Sequence, residues 1–209
     1  MRTYVLGVIT CIAATVGMAW SQNFEVTPFI GGQVNGGLDL STSVVRRIEV
    51  QNGLNYGVSL GYLLGDLGAA ELMWNHNKAD TTAQFGGGSD RKVFGLNSNQ
   101  YLGNFLLHFK DRQTRLRPFI FFGLGATNLS PDRSGVDSIT RFAWAVGAGA
   151  KYNFSKHLGT RIQAKWAPTY ITTTDGGFWC DPFWGGCFAV GDNHYLNEFD
   201  ITGGITFRF

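Results

Sequence analysis

Long apolar segments and charge are both scarce in this 209-residue chain. Beyond its N-terminal segment there is no run of the 18 or more apolar residues that a membrane-spanning helix requires. Charged residues make up only 15% of the chain, below the quarter that is usual in soluble domains. The first absence excludes a helical membrane protein, and the second is unusual for a soluble domain. The small net charge of +2 gives no reason to expect a nucleic-acid partner.

Cysteine and histidine are also few. Of three cysteines, Cys11 lies in the N-terminal segment, which leaves Cys180 and Cys187. An even pair in an exported chain predicts a disulfide. The four histidines form no closely spaced pair and no H-E-x-x-H motif, and two cysteines with His194 are too few for a zinc site. We therefore expect no cofactor, no metal and no enzymatic activity.

The N-terminal segment has the features of a secretory signal peptide. Arg2 supplies the positive charge, Tyr4 to Val16 is almost wholly apolar, and Ala19-Trp20-Ser21 places small residues where signal peptidase reads them. We expect cleavage after Ser21, giving a signal peptide of residues 1–21 and one domain of residues 22–209. A membrane anchor helix is the alternative, but the apolar run is short and no basic stop follows it.

Alternation of apolar and polar residues is the main structural signal. From Leu54 to Leu64, the even positions are Tyr or aliphatic, while Asn55, Gly57, Ser59 and Gly61 occupy the odd positions. A period of two predicts a strand with one apolar face. Eight segments of this kind are predicted, each long enough for a tilted membrane strand: Asn23–Val34, Leu54–Leu64, Leu67–Lys78, Val93–Phe109, Leu116–Thr127, Thr140–Tyr152, Leu158–Ile171 and Leu196–Phe209. In the fifth, Phe119 to Phe122 are consecutive, so its facing is ambiguous.

The predicted connections alternate between long and short. Long connections follow the first, third, fifth and seventh strands, and short polar turns follow the others. Transmembrane barrels have this layout, with short periplasmic turns and longer outer loops. The sequence thus predicts an all-β fold, an eight-stranded antiparallel up-and-down transmembrane β-barrel with both termini in the periplasm.

Charged residues on the faces opposite the aromatic ones indicate which face points inward. A soluble lipocalin-like barrel would line its cavity with the aromatic face and expose these charges to water. Strand length, loop asymmetry and the terminal Phe209 favour a membrane barrel, whose lumen would then hold a balanced charge network. Its predicted members are Glu25, Glu71, Arg117, Lys151, Arg161, Lys165, Glu198, Asp200 and Arg208. Interfacial aromatic belts could come from Tyr56, Tyr62, Trp74, Tyr101, Trp144, Tyr152 and Trp166.

Several short motifs carry a family resemblance. They are Phe24-Glu25-Val26-Thr27-Pro28-Phe29, Arg117-Pro118-Phe119 with Gly123-Leu124-Gly125, and Ile205-Thr206-Phe207-Arg208-Phe209. With the signal peptide, they make the chain similar to small outer-membrane β-barrel proteins of the OmpA/OmpX-like superfamily. The resemblance implies that Ile205, Phe207 and Phe209 form a C-terminal signal for the barrel-insertion machinery. Such motifs specify fold and location better than activity.

The last long loop is the most distinctive stretch. Six residues separate Cys180 from Cys187, with Asp-Pro and Gly-Gly between them, which suits a small disulfide-closed turn. Its aromatics Phe178, Trp179, Phe183 and Trp184 could anchor a surface ligand. A loop stapled against proteolysis that packs on itself is the alternative reading.

Three functions are compatible with this sequence. The first is a non-enzymatic outer-membrane barrel, monomeric and surrounded by outer-membrane lipid, with a structural and surface-interaction role. The second is a narrow porin-like channel for small or hydrophobic solutes. The third is an outer-membrane lipid-modifying enzyme, for which no nucleophile, base and acid are recognisable as a set.

Overall fold

The computed structural model describes residues 23–35, 37–39, 45–50, 52–85, 90–131, 138–171, 179–181, 186–188 and 194–209. The predicted signal peptide, residues 1–21, and its cleavage site lie outside this part of the chain. No helix within the described ranges is long and apolar enough to cross a membrane.

The described chain is built from β-strands, and all of their pairings are antiparallel. They are β1 (Phe24–Asn35), β2 (Gly37–Asp39), β3 (Val45–Val50), β4 (Gly53–Leu64), β5 (Gly68–Phe85), β6 (Asp90–His108), β7 (Leu116–Pro131), β8 (Ile139–Asn153), β9 (Leu158–Ile171), β10 (Trp179–Asp181), β11 (Gly186–Phe188) and β12 (His194–Arg208). The eight long strands β1, β4, β5, β6, β7, β8, β9 and β12 form one antiparallel sheet. The predicted eight-stranded barrel is confirmed.

Pairing of the first and last strands closes the barrel. The register of β1 and β12 runs from Glu25 opposite Arg208 to Asn35 opposite Glu198. At the end of this pairing nearest Phe209, the Phe209 amide donates to the Phe24 carbonyl at 2.9 Å, and the Phe24 amide donates to the Phe209 carbonyl at 3.3 Å. Closure removes the open edges that a flat sheet would leave. The first and last strands of the barrel therefore lie side by side along their length.

The structure corrects the prediction at the top of the third and fourth predicted strands. They were expected to end at Lys78 and begin at Val93, but the pairing of β5 with β6 continues to Gln84 opposite Asp90. The long connection expected after the first strand also contains β2 and β3, and β3 pairs with the part of β5 nearest the long-loop end. The sheet therefore continues beyond the barrel as a four-stranded extension of β2, β3 and the ends of β5 and β6. This part of the sheet does not face lipid, so its sequence does not need the apolar face that would have predicted it.

The two ends of the barrel differ. At the short-turn end, residues 65–67, 109–115 and 154–157 connect consecutive strands. The other connections lie at the long-loop end. Of the aromatics predicted for interfacial belts, Tyr62 and Tyr152 lie near the short-turn end, and Tyr56, Trp74, Tyr101, Trp144 and Trp166 lie near the long-loop end.

The two faces of the wall are chemically opposite. Large apolar side chains cover the outside, where Leu72 is 67% exposed and Ile30 57%. Charged and amide side chains fill the inside, including Arg117, Lys151 and Lys165, which are almost completely buried. A soluble barrel would show the reverse arrangement. An apolar exterior around a polar interior is the arrangement that lipid requires.

Among the phenylalanines whose side chains are described, three also point into the barrel, and each has a glycine as its cross-strand partner. The pairs are Phe29 with Gly57, Phe119 with Gly149 and Phe121 with Gly147. An eight-stranded barrel is only just wide enough for its own side chains. A phenylalanine ring that lies along the inner wall therefore needs a neighbour without a Cβ. A Cβ added at Gly57 would lie 2.6 Å from Cζ of Phe29, and a Cβ added at Gly149 would lie 2.6 Å from Cζ of Phe119.

Candidate functional site

The candidate site is the charged interior of the barrel. The structure places all nine predicted lumen residues on the inner face of the wall, with exposures of 9% or less: Glu25, Glu71, Arg117, Lys151, Arg161, Lys165, Glu198, Asp200 and Arg208. Alternation positions them, because each occupies the inward phase of its strand. They form two ionic clusters, a lower one and an upper one, and Arg117 lies beneath them at the short-turn end of the barrel.

The lower cluster lies near the short-turn end, and Glu25 is at the centre of its first group of ion pairs. Its carboxylate accepts from the Lys151 ammonium, and from Arg208 through Nη2 at 2.7 Å and Nε at 3.1 Å. The Arg208 Nη2 also donates to Oδ1 of Asn153 at 3.3 Å. One buried carboxylate thus links β1, β8 and β12, and its charge is offset by two cations.

Glu71 and Arg161 form the second pair of this lower cluster. Two guanidinium nitrogens donate to the carboxylate, the Nη2 contact being 3.2 Å long. The Asn104 amide adds a bond to Glu71 at 3.2 Å. The guanidinium carbon of Arg161 lies 4.8 Å from the centre of the Phe119 ring, and the Lys151 Nζ lies 5.8 Å from it. The aromatic ring therefore stabilises both cations as well as filling space.

An upper cluster lies closer to the long-loop end. Lys165 forms an ion pair with Asp200 at 2.8 Å and donates to the Gln100 side-chain oxygen. The Gln100 amide nitrogen then donates to Glu198 at 3.1 Å and to Thr127 at 3.3 Å. A neutral amide thus connects the lysine to the second carboxylate, so the two carboxylates share one lysine through this network.

Arg117 forms part of a floor at the short-turn end. The sequence predicts that it joins the charge network, but its Nε and Nη2 donate to the backbone carbonyls of Lys110, at 3.2 Å, and Asp66, at 2.8 Å. Arg112 donates to Oδ1 of Asn23 at 2.6 Å and to the Gly65 carbonyl at 2.8 Å. These two arginines tie the turns and the start of β1 together across the barrel end.

Sequence reasoning missed the neutral members of the network. Gln100 and Asn104 lie on β6, whose inward phase alternates polar residues with Leu102 and Leu106. Because that face is neither uniformly polar nor uniformly apolar, composition gives no signal there. Only the phase fixed by the pairing with β5 identifies these amides as inward.

The last loop is described only in part. Cys180 and Cys187 are direct cross-strand partners in the pair of β10 and β11, and Trp179 lies opposite Phe188. Phe178, Phe183 and Trp184 lie outside the described residues, as do all side chains of this loop. The register therefore brings the two cysteine backbones together, and their disulfide stays a prediction.

Ile205 and Phe207 lie on the outer face of β12, and Phe209 directly follows this strand. Ile205, Phe207 and Phe209 are 53%, 40% and 50% exposed and point toward the region where lipid lies. They flank the seam with β1. Their proposed reading by the insertion machinery stays a prediction.

A closed barrel with an apolar exterior and an ion-paired interior defines an integral outer-membrane barrel. Residues 8–182 match the family model described as the outer membrane protein beta-barrel domain. The chain belongs to this family, and its location is the outer membrane. Comparison with curated protein sequences finds no match.

Solved structures show the same fold. OprG from Pseudomonas aeruginosa has a TM-score of 0.63 at 12% identity, covering 90% of this chain and 96% of that one. Neisserial surface protein A has a TM-score of 0.58 at 12% identity, covering 89% and 97%. The N-terminal barrel of Pseudomonas aeruginosa OprF has a TM-score of 0.51 at 17% identity, covering 91% and 100%. At these identities the likeness concerns the fold alone.

Proposed function

We propose that the protein is a non-enzymatic surface barrel whose interior is closed and whose long-loop end faces the cell exterior, where it contacts other surfaces. The observation that carries the proposal is that side chains cross-link opposite walls of the lumen. Glu71 on β5 binds Arg161 on β9, four strands away in a ring of eight. Gln100 on β6 binds Glu198 on β12, again four strands away. Both links span the full width of the barrel.

Apolar side chains support the same conclusion. Phe29, Phe119 and Phe121 belong to one buried cluster with Met73 and Leu102 inside the wall. Rings packed against the glycines opposite leave little width for a passage. The lumen therefore behaves as a side-chain plug, and the function lies with the exposed parts of the molecule.

The long-loop end offers a surface beyond the membrane. The upper parts of β5 and β6 with β2 and β3 form the four-stranded extension, and β10 with β11 adds a second small hairpin. Hydrogen-bonded strands hold a binding surface in place better than irregular loops do. The aromatics Phe178, Trp179, Phe183 and Trp184 are the proposed contacts for a surface ligand.

The described histidines support a non-enzymatic role. His76 bonds Asn99 at 2.9 Å, His108 bonds the Leu67 carbonyl at 3.1 Å, and His157 bonds the Arg208 carbonyl at 3.2 Å. None of these partners is the nucleophile or orienting acid that a hydrolase or acyltransferase pairs with its histidine. His194, the other histidine considered, has a backbone in β12 but no described side chain.

Planar-bilayer conductance tests the closed lumen. We expect the purified barrel to show only background current, whereas replacing both Glu71 and Arg161 with serine should produce measurable steps, because this removes one link across the full width. Lys156→Ser, in an exposed turn, is the control and should behave like the wild type. Stable conductance steps from the wild-type protein would instead establish the narrow-channel function.

One observation favours that channel. Both side-chain amide atoms of Asn55 are buried toward the long-loop end of the lumen without a protein hydrogen-bond partner, as is Oδ1 of Asn75. Buried amides of this kind are normally satisfied by water. A hydrated upper lumen is compatible with a passage for small solutes only if the lower cluster opens, which is the step that the conductance experiment measures.

Export and assembly complete the proposal. The signal peptide of residues 1–21 would direct the chain across the inner membrane, and Ile205, Phe207 and Phe209 would then engage the insertion machinery. Their outward position on β12 makes them accessible before the barrel is surrounded by lipid. We expect a monomer, because the closed ring of strands leaves no barrel edge for a second copy.

A thiol titration tests the disulfide. Because Cys180 and Cys187 are direct cross-strand partners, we expect the mature protein to show no free thiol before reduction and two afterwards. The measurement is colorimetric titration in denaturant with and without reductant. A Cys180→Ser variant, which should show one free thiol throughout, calibrates the assay. Two reactive thiols in the unreduced wild type would refute the pairing.

A further inference from the structure

Three side chains from distant parts of the chain converge on the short turn of residues 65–67. Each donates to the main-chain carbonyl of one turn residue, and the three acceptors are consecutive in sequence. The donors are Nε of Arg112 at 2.8 Å, Nη2 of Arg117 at 2.8 Å and Nδ1 of His108 at 3.1 Å, on Gly65, Asp66 and Leu67 in that order. We call the group formed by His108, Arg112 and Arg117 over this turn the turn site.

Arg117 is a buried cation of the turn site for which the described part of the chain supplies no carboxylate partner. Its side chain is completely buried, its Nε and Nη2 donate to main-chain carbonyls, and its Nη1 has no hydrogen-bond partner. A charge removed from water normally has a counter-ion beside it. Glu25, the nearby carboxylate of the lower cluster, is already shared by Lys151 and Arg208.

His108 supplies a second buried atom without a partner, and it complements the first. Because Nδ1 donates to a carbonyl, Nε2 of the neutral ring is an acceptor, and it is buried with no donor in the described chain. His108 lies opposite Phe119, which is two residues from Arg117 in the same inward phase of β7. Such diagonal neighbours have Cα atoms roughly 7–8 Å apart, so one small ligand can contact both side chains.

The charge around the turn site favours an anion. Buried ionic residues of the lower lumen comprise four bases and two acids: Arg117, Lys151, Arg161, Arg208, Glu25 and Glu71. The short turns beneath them add four basic and two acidic residues. Arg112 is one of these bases, and its nitrogen lies 3.9 Å from the carboxylate of Asp66, which is itself exposed. Cations therefore remain in excess both inside and below the barrel end.

We propose that the turn site binds the phosphate group of a small soluble anion, either inorganic phosphate or a phosphate monoester. Nη1 of Arg117 donates to a phosphate oxygen, and the phosphate hydroxyl donates to Nε2 of His108. Arg112, whose side chain is 27% exposed, forms the outer contact. The anion enters from the short-turn end, which faces the periplasm in the proposed orientation. His108 and Arg117 point into the barrel, away from the lipid that surrounds it.

This arrangement of a donor and an acceptor distinguishes phosphate from sulfate. At neutral pH, phosphate keeps at least one hydroxyl, whereas sulfate has none. Sulfate would therefore satisfy Arg117 but leave Nε2 of His108 without a donor. A buried site built to bond a ligand hydroxyl rejects the analogue that lacks it, because its own polar atom is then left unpaired.

The test is isothermal titration calorimetry of the folded mature barrel in detergent, with sodium phosphate and sodium sulfate at neutral pH and constant ionic strength. We expect the wild type to bind one phosphate and to prefer it to sulfate by about tenfold or more. His108→Phe, which keeps a ring beside Phe119, should lose this preference. Arg117→Met should weaken the binding of both anions by about tenfold or more.

The short turns offer a matched control for each variant. Nδ1 of His157 also bonds a main-chain carbonyl, at 3.2 Å, but this histidine is exposed and lies in another turn. Arg115 is an exposed cation in the same turn as Arg112. His157→Phe and Arg115→Met remove the same chemical groups outside the turn site and should bind phosphate like the wild type. Heat-modifiable gel mobility identifies the folded samples, and only these are titrated.

Three results would overturn the site. They are no phosphate binding by the folded wild type, equal wild-type affinity for phosphate and sulfate, and an equal loss in Arg115→Met and Arg117→Met. Where Arg117→Met does not fold, the wild-type preference and His108→Phe still decide. Phosphatidic acid added to the micelles should not displace phosphate, and displacement would contradict a soluble ligand. The turn site lies at the opposite end from the long loops, so its test is independent of the surface-interaction role.

Discussion

Arg161→Met is expected to destabilise the folded barrel by about 3–5 kcal/mol, because it leaves the buried Glu71 carboxylate without its guanidinium partner. The Asn104 amide would remain, but one neutral hydrogen bond does not compensate for a buried charge. The Lys151 ammonium is already bound to Glu25. The variant also loses the contact between the guanidinium and the Phe119 ring.

Urea unfolding of the barrel refolded into lipid vesicles measures this effect, with gel mobility as the readout of the folded fraction. The double variant Glu71→Leu with Arg161→Met should recover most of the loss, because replacing both partners removes the unpaired charge. Lys156→Met in the exposed turn at residues 154–157 is the matched control and should unfold like the wild type. An Arg161→Met barrel with an unchanged midpoint would show that the pair contributes nothing.

Gly149→Leu is expected to prevent closure of the barrel. A Cβ at this position would lie 2.6 Å from Cζ of Phe119, and the rest of the leucine would need the space that this ring occupies. Phe119 has an exposure of only 1% and cannot swing outward without crossing the wall. Overpacking of even one or two methylenes costs about 1–3 kcal/mol in a dense core, and here the backbone of β9 is also in the way.

The folded yield after refolding into vesicles is the measurement for this variant. Gly203→Leu adds the same side chain on the outer face, where it projects toward lipid, and should refold like the wild type. The comparison separates the effect of inward volume from that of lost strand flexibility, since both changes replace a strand glycine. A fully folded Gly149→Leu barrel would contradict the tight packing of Phe119 against this position.

The membrane-spanning strands could be predicted because their two faces lie in different environments. Lipid outside and a polar lumen inside force apolar and polar residues to alternate, as they do from Leu54 to Leu64. Beyond the rim both faces meet water, and the pattern disappears. The sequence pattern therefore does not predict the upper part of β5, from Thr81 to Gln84, although its backbone pairs with β6 across a register shift between Thr81 and Thr82.

The facing of the four consecutive bulky residues in β7 shows the limit of a single-strand argument. Phe119 and Phe121 point inward, while Ile120 and Phe122 are 45% and 49% exposed. Hydrophobicity alone could not assign these sides. The assignment depends on the glycines opposite in β8, and hence on a register that only the paired structure provides.

The lumen charges were identifiable from sequence because ionic residues are excluded from the lipid face. Their partners were not, because Glu71 and Arg161 are 90 positions apart and meet only across a closed ring. Arg117 illustrates the difference. Its inward phase could be predicted, whereas its bonds to the turn carbonyls of Lys110 and Asp66 depend on how the short turns fold beneath it.

The seam between β1 and β12 has a consequence for biogenesis. Glu25 gains Arg208 only when residues 183 positions apart in sequence meet, and the same event supplies the last main-chain ladder. Contacts this distant in sequence make folding slow. A nascent chain cannot complete the wall until β12 has been delivered, so its unpaired strands must be protected from aggregation until the ring closes.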